Sequence, residues 1–230
     1  MNPHEPSTAE PEAATTHCRR PSFWRSRGGR VLIGLLIAAG VGVWFYEEVY
    51  EERWIAPRFG VVEPDRIYRS GQIPAPIIEG VLRKHGIEVV VDLTVDEGSA
   101  VQRAEQDAIR TLGITGLRFP MGGNGVGTPE NYIGAVAAIH RARQDGQRVL
   151  VHCQAGTQRT GGVVSAYRLL VEGKPAGEVY REAQRYDWEP EEDVHWPRFL
   201  NAHMRQIAEG LVAEGVLCVV PEPLPVFTAE

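Results

Sequence analysis

The sequence predicts an α/β domain, built on a central, mostly parallel sheet of four to five strands flanked by helices, behind an N-terminal transmembrane helix. Two uninterrupted apolar runs rich in β-branched residues, IEVVVDL (87–93) and RVLVH (148–152), are typical of strands buried on both faces. Helix-like segments separate these runs, and this alternation at this spacing indicates a layered fold.

Local start signals place the helices along the chain. Ser99 followed by Gln102 is a capping box, which predicts a helix beginning there. Thr128 followed by Pro129 is an N-cap with a proline in the first turn, which predicts a second helix. The predicted elements are helices at about 99–112, 128–143, 160–171, 175–186 and 195–213 and a short strand in TGLRFP (115–120).

The N-terminal part of the chain carries the features of a membrane anchor. Residues 1–30 are rich in Pro, Thr and Glu and then in Arg, and predict a disordered basic segment. The run VLIGLLIAAGVGVWFY (31–46) has no charge and ends in aromatic residues. These features favour an uncleaved transmembrane helix over a buried core helix or a cleaved signal peptide.

Charges on the two sides of this run predict its orientation. Five arginines precede it within residues 19–30, and four glutamates follow it within 47–52, in a predicted linker at 47–60. By the positive-inside rule the N-terminus is expected in the cytoplasm, which would place the following domain outside, in the periplasm of a bacterium.

The bulk composition argues against several kinds of partner and site. The net charge of −6 gives no indication of nucleic-acid binding. The three cysteines, Cys18, Cys153 and Cys218, are far apart and odd in number. They therefore predict neither a disulfide framework nor a zinc site, and at least one should be a free thiol.

The stretch VHCQAGTQRTGG (151–162) places a cysteine and an arginine around a tight turn between a predicted strand and a predicted helix. Ligands of such sheets bind at the carboxyl ends of the strands, and a loop leading into a helix directs its N–H groups at an anion. Gly156 permits a positive φ, and the N–H groups would lower the pKa of Cys153. Arg159 can hold two phosphate oxygens at once. The pattern predicts a nucleophilic thiolate beneath a tetrahedral oxyanion.

The segment HCQAGTQRTG matches the H-C-x5-R-S/T loop of the cysteine-dependent phosphatases, the protein tyrosine and dual-specificity phosphatase superfamily. The chain resembles the compact bacterial dual-specificity-like members over about residues 61–190, and a domain of this kind is expected at 61–213, before a proline-rich tail at 214–230. The other matching segments are IYRSGQIP, GIEVVVDLT, the helix carrying Glu105, LGITGLRFPM and YRLLVEG.

The resemblance implies a role for each residue of the loop. Cys153 would attack phosphorus, Arg159 would bind the phosphoryl oxygens, Thr160 would assist release of the thiolate, and His152 would orient the loop. No metal or cofactor is expected. The residues expected to bind phosphate are Gln154, Ala155, Gly156, Thr157, Gln158 and Arg159.

The chain departs from the family at the general acid. The aspartate of these phosphatases usually lies on a loop that corresponds here to FPMGGNGVGTPE (119–130), which contains none. Asn124 stands near the expected place, and Glu130 should lie in the first turn of the next helix. Asp96 is taken as the candidate acid, with Glu97 as an alternative. These residues and Asp92 lie at the end of the strand 87–93, on the same side of the sheet as the loop, and Asp187 is a weaker candidate.

The expected function is a membrane-anchored, cysteine-dependent phosphatase acting through a phosphocysteine. Loss of the acid favours leaving groups of low pKa, such as phosphotyrosine, other aryl phosphates or phosphoanhydrides. The substrate would be a phosphorylated protein or a small phosphorylated molecule. Gln154 and Gln158 stand where inositol-lipid phosphatases often place lysine, so an inositol polyphosphate is less favoured. The alternatives are a weakly active phosphate-binding module, a phosphoanhydride or inositol phosphate phosphatase, and another thiolate enzyme, such as a sulfurtransferase or an arsenate reductase.

Overall fold

A computed structural model describes residues 27–45 and 55–230, in two compact units that divide between residues 46 and 47. The first unit contains helix α1 (Arg27–Phe45), which covers the predicted anchor except for Tyr46. In the described parts of the chain, no helix is both long and apolar enough to cross a membrane. The disorder predicted for residues 1–30 is wrong at its end, because residues 27–30 form the first turn of α1. The linker predicted at 47–60 ends earlier than predicted, because Gly60 is already the first residue of a strand. Residues 1–26 and 46–54 lie outside the described residues.

The second unit is an α/β domain with a five-stranded sheet, as predicted. Its strand order is β1-β2-β5-β3-β4; β1 pairs with β2 in antiparallel fashion, and all other pairs are parallel. The strands are β1 (Gly60–Glu63), β2 (Ile67–Ser70), β3 (Val89–Asp92), β4 (Thr115–Arg118) and β5 (Val149–His152).

Helices cover both faces of this sheet. Along β3 and β5 the residues alternate between two apolar clusters, so that Val89 and Val91 face one cluster and Val90 faces the other. This explains why these strands show no polar alternation in the sequence. The helices of the domain are α2 (Ile78–His85), α3 (Ala100–Leu112), α4 (Pro129–Gln144), α5 (Gln158–Ala166), α6 (Ala176–Gln184) and α7 (His195–Ala213).

Both predicted caps are present. The Ser99 hydroxyl accepts a hydrogen bond from the Gln102 N–H at 3.1 Å, so α3 begins at the next residue. At α4, the Thr128 hydroxyl accepts from the Asn131 N–H, and the Asn131 side chain accepts from the Thr128 N–H. These caps fix the positions at which the loops before α3 and α4 end.

The helix predicted at 160–171 ends at the predicted residue but begins two residues earlier, and its last turn is π-helical. It begins at Gln158, because the Gly161 N–H already donates to Thr157 O at 2.8 Å. Arg159 therefore lies in the first helical turn. The last five residues of the predicted helix, Tyr167–Val171, form a π-helical turn that continues α5.

The proline-rich tail packs onto the domain. Phe227 is buried, and its ring lies 4.6 Å from that of Trp196 and 5.3 Å from that of Trp188. The Asn201 side chain bonds both the N–H and the carbonyl of Phe227, at 2.8 and 3.1 Å. The tail therefore contributes to the core beside the start of α7.

Candidate active site

The loop that follows β5 lies where three parallel strands end. In the register of the sheet, His152 pairs with both Ser70 of β2 and Asp92 of β3. Cys153 is the next residue after His152, and only 1% of its surface is exposed. The thiol is thus held at the carboxyl edge of the sheet, just before α5.

The surroundings of Cys153 favour a thiolate. Burial alone would raise the pKa of this thiol. The hydroxyl and backbone N–H of Thr160, the charge of Arg159 and the N–H of Gly156 together outweigh burial and lower its pKa below the usual value. The Gly156 N–H donates to Cys153 Sγ at 3.2 Å. All four residues of this arrangement were predicted from the sequence as parts of the site, and in the structure they lie together.

Arg159 is buried in the first turn of α5. Its Nη1 lies 3.5 Å from Leu93 O, just beyond the end of β3. The guanidinium is therefore held between the end of that strand and the loop. A fixed, planar guanidinium can bind two oxygens of a tetrahedral anion with little further loss of entropy.

His152 forms a buried ion pair that the sequence did not indicate. Its Nε2 lies 3.0 Å from Glu105 Oε2 on α3 and 4.0 Å from Asp92 Oδ1. Burial alone would lower the pKa of this imidazole. The nearby carboxylate of Glu105, with the charges of Asp92 and Cys153, raises the pKa of His152 to about 9. These carboxylates favour the imidazolium form of His152, which directly precedes Cys153 in the sequence.

The candidate acids at and just after the end of β3 differ in how the structure holds them. The Asp92 carboxylate is buried and accepts hydrogen bonds from Arg118 Nε at 3.0 Å and from the Thr94 N–H at 2.7 Å. Glu97 has 85% of its side chain exposed and lies 3.7 Å from Arg118 Nη1. Asp96 is partly buried, and its backbone carbonyl accepts from Arg118 Nη2 at 2.9 Å. Arg118 therefore fixes the backbone that carries Asp96.

The loop in which the family usually carries its acid is occupied differently. The Asn124 side chain accepts a hydrogen bond from the N–H of Val126 at 3.1 Å, so it stabilises its own turn. Glu130 lies in the first turn of α4, as predicted. Its own N–H and the Thr128 hydroxyl lower its pKa, so it stays ionised and is a poor proton donor.

Residues 58–72, which precede α2, hydrogen-bond the loop 153–159, hereafter the phosphate loop, a role that was not predicted from the sequence. They lie in the matching segment IYRSGQIP and just upstream of it. Arg69 is buried in β2, whose other residues are Ile67, Tyr68 and Ser70. Its Nη2 donates a hydrogen bond to Gly156 O at 2.7 Å. A charged residue in a short buried strand is a signal that the sequence does contain.

Asp187 lies beside this segment. It has a φ of 59°, and its carboxylate pairs with Arg58 Nε at 2.7 Å. Arg58 Nη1 in turn donates to Ala155 O in the loop at 3.0 Å. Asp187 is therefore linked to the phosphate loop through Arg58, and its carboxylate is engaged with a cation.

A buried thiol whose pKa is lowered by the charge of an arginine at a helix start, with a glycine N–H directed at the sulfur, is the arrangement expected of a thiol-dependent phosphatase. Residues 74–203 match the family model described as dual specificity phosphatase, catalytic domain, and the chain belongs to this family. The protein is thus a phosphatase of the tyrosine and dual-specificity type.

Solved structures with the same fold include two phosphatases. One is the core catalytic domain of the PP-IP phosphatase Siw14 from S. cerevisiae, in complex with citrate (18% identity, TM-score 0.54, covering 74% of this chain and 96% of that one). The other is TpbA from P. aeruginosa in complex with pTyr (17% identity, TM-score 0.53, covering 71% and 98%). At these identities the likeness concerns the fold. No curated protein matches the chain.

Proposed function

We propose that the protein hydrolyses phosphomonoesters through a phosphocysteine on Cys153. The observation that carries this proposal is the buried thiol, whose pKa is lowered by Thr160, Arg159 and Gly156. The thiolate would attack phosphorus and form an S–P bond while the ester P–O bond breaks, and the leaving oxygen would take up a proton. Water would then attack the phosphocysteine, releasing phosphate and restoring the thiolate.

Phosphotyrosine is the preferred substrate in this proposal. A phenol is a better leaving group than an alcohol, which suits a site whose usual acid loop has no aspartate. Two arginines near the loop already pair with carboxylates, Arg58 with Asp187 and Arg118 with Asp92. Cations that are already paired are less available for a highly charged inositol polyphosphate.

Trapping the intermediate would test the proposal directly. The full chain would be mixed with a phosphotyrosine peptide, quenched with acid within milliseconds and digested, and the cysteine-containing peptides analysed by mass spectrometry. We expect a phosphoryl group on Cys153 and none on the exposed Cys218. A folded chain that binds phosphate without forming this adduct or releasing phosphate would favour the phosphate-binding module instead.

We further propose that Asp96 protonates the leaving group. The variant Asp96→Asn is expected to lower kcat for a phosphoserine peptide about 10²-fold, because general acid catalysis contributes most to poor leaving groups. With 4-nitrophenyl phosphate, whose leaving group needs little protonation, the loss should be less than about tenfold. Steady-state kinetics on both substrates would measure this difference, with Glu97→Gln as the matched control. Equal rates for Asp96→Asn and wild type on both substrates would exclude this role.

We also propose that residues 31–46 anchor the protein in a membrane, with the phosphatase domain on the outer side. The support is the charge-free run and the arginines before it and glutamates after it. The full chain is expected in the membrane fraction and to resist extraction with alkaline carbonate. A variant with Leu35→Arg and Leu36→Arg should be released. Recovery of the unmodified chain in the soluble fraction would contradict the anchor, and protease protection of the domain in spheroplasts would contradict its orientation.

A further inference from the structure

We propose that Arg69 is a positioning residue that, with Arg58 and the main chain of Gln72, turns the N–H groups of the phosphate loop toward the bound oxyanion. This inference rests on the proposed function, because it assumes that the loop binds a phosphoryl group. It assigns a catalytic purpose to the segment RSGQIP (69–74) and to the arginine that precedes it at position 58.

Three consecutive carbonyl groups of the loop accept hydrogen bonds from a single stretch of chain, residues 58–72. Two donors are arginine side chains, and the third is a backbone N–H. The bonds are Gln72 N to Gln154 O (2.8 Å), Arg58 Nη1 to Ala155 O (3.0 Å) and Arg69 Nη2 to Gly156 O (2.7 Å).

Holding a carbonyl fixes the N–H of the same peptide group. The peptide is planar and trans, so its C=O and N–H point in opposite directions. When the three carbonyls are held on the outer side of the loop, the N–H groups of Ala155, Gly156 and Thr157 turn toward its inner side. The Gly156 N–H shows this directly, since it donates to Cys153 Sγ at 3.2 Å. Preorganised N–H groups of this kind stabilise a developing anion without reorganisation.

Arg69 is the most strongly constrained of the three donors. Only 1% of its surface is exposed, and its guanidinium carbon lies 3.8 Å from the centre of the Tyr186 ring. Burial lowers the pKa of Arg69 to about 10, which shows that the fold holds this cation at an energetic cost. An apolar residue would suit the middle of a buried strand better. The contact with Gly156 O supplies a reason for arginine at this place.

The close approach of backbone to backbone supports the same role. Gly156 has a φ of 84°, and a Cβ there would lie 2.6 Å from the N of Gly71. A Cβ on Gly71 would in turn lie 2.8 Å from Ala155 O. The segment and the loop therefore touch along their main chains, so that the position of one sets the position of the other.

The test compares Arg69→Lys and Arg58→Ala in the full chain, in a background of Cys18→Ser and Cys218→Ser, so that alkylation reports Cys153 alone. The rate of reaction with iodoacetamide between pH 5 and 9 would give the thiol pKa, and calorimetry with tungstate would give the affinity for an oxyanion. For Arg69→Lys we expect about 10- to 100-fold weaker tungstate binding, as for loss of a hydrogen bond to a charged group, and a raised thiol pKa. For Arg58→Ala we expect a smaller loss, of about two- to fivefold, because water can replace a partly exposed arginine.

Arg168→Lys is the matched control. Arg168 is also buried and also bonds a backbone carbonyl, that of Val62, but its hydrogen bonds go to Val62, Glu172 and Glu182 and none goes to the phosphate loop. The variant Arg168→Lys should lower the melting temperature without changing the pKa of Cys153 or the affinity for tungstate. Folded Arg69→Lys with both quantities unchanged would overturn the proposal. If Arg69→Lys does not fold, unchanged values for Arg58→Ala would overturn it. Neither readout needs turnover, so a failure of the phosphatase function itself would be seen separately, as wild-type chain that binds tungstate but releases no phosphate.

Discussion

Replacing Cys153 by serine is expected to lower kcat for phosphate release by at least about 10⁴-fold, as removal of a catalytic nucleophile does in other enzymes. The contacts that lower the pKa of the thiol are the hydroxyl and N–H of Thr160, the charge of Arg159 and the N–H of Gly156. They can ionise a thiol, whose usual pKa is about 8.5, but not an aliphatic alcohol. The variant should still bind oxyanions, because these groups remain in place.

The matched control for this change is Cys218→Ser, which alters an exposed cysteine away from the loop. It should retain the wild-type kcat, and both variants should give the circular dichroism spectrum of the wild type. Phosphate release from a phosphotyrosine peptide and from 4-nitrophenyl phosphate would be followed under reducing conditions. If Cys153→Ser kept more than about a tenth of the wild-type rate, the phosphocysteine mechanism would be wrong.

Much of the fold could be predicted because the relevant signals are local. Uninterrupted β-branched runs mark β3 and β5, and the caps at Ser99 and Thr128 mark the starts of α3 and α4. The loop from Cys153 to Arg159 could be recognised because a thiol, a glycine and an arginine must stand at fixed spacing to surround one anion. Each of these inferences uses residues that are close in the sequence.

The contacts that support the loop could not be predicted in the same way, because they join distant parts of the chain. Arg69 and Gly156 are 87 residues apart in sequence, and Arg58 and Asp187 are 129 apart. The burial of Phe227 against Trp196 is of the same kind, since a proline-rich tail carries no local sign that one of its side chains enters the core.

A second large effect is expected at the ion pair beneath the loop, where Glu105→Gln should lower the free energy of unfolding at pH 6 by about 3–5 kcal/mol. In the native protein the Glu105 carboxylate lies 3.0 Å from His152 Nε2, and both side chains are buried. The variant leaves the imidazolium without its main counter-charge. His152 must then either stay charged in an apolar setting or lose its proton, and both cost free energy.

The dependence on pH separates this effect from simple loss of packing. The pKa of His152 is about 9 in the folded protein, above the value of about 6.5 in an unfolded chain. Its contribution to stability is therefore fully present below pH of about 6.5 and is lost as the pH rises through about 9. That contribution is on the order of 3 kcal/mol. The difference in unfolding free energy between wild type and Glu105→Gln should accordingly be large at pH 6 and small near pH 9.5.

Urea denaturation of both chains from pH 6 to pH 9.5 would measure this difference. The pKa of Cys153 is lowered in the folded protein, so its contribution to stability depends on pH with the opposite sign, and it is present in both chains. The matched control is Glu182→Gln, which breaks a buried pair with Arg168 at 2.9 Å. Because a guanidinium keeps its proton throughout this range, that variant should be destabilised about equally at every pH. If Glu105→Gln also lowered the free energy of unfolding by the same amount at every pH, His152 would be neutral in the folded protein. Cys153 would then have no cationic neighbour at position 152 at neutral pH.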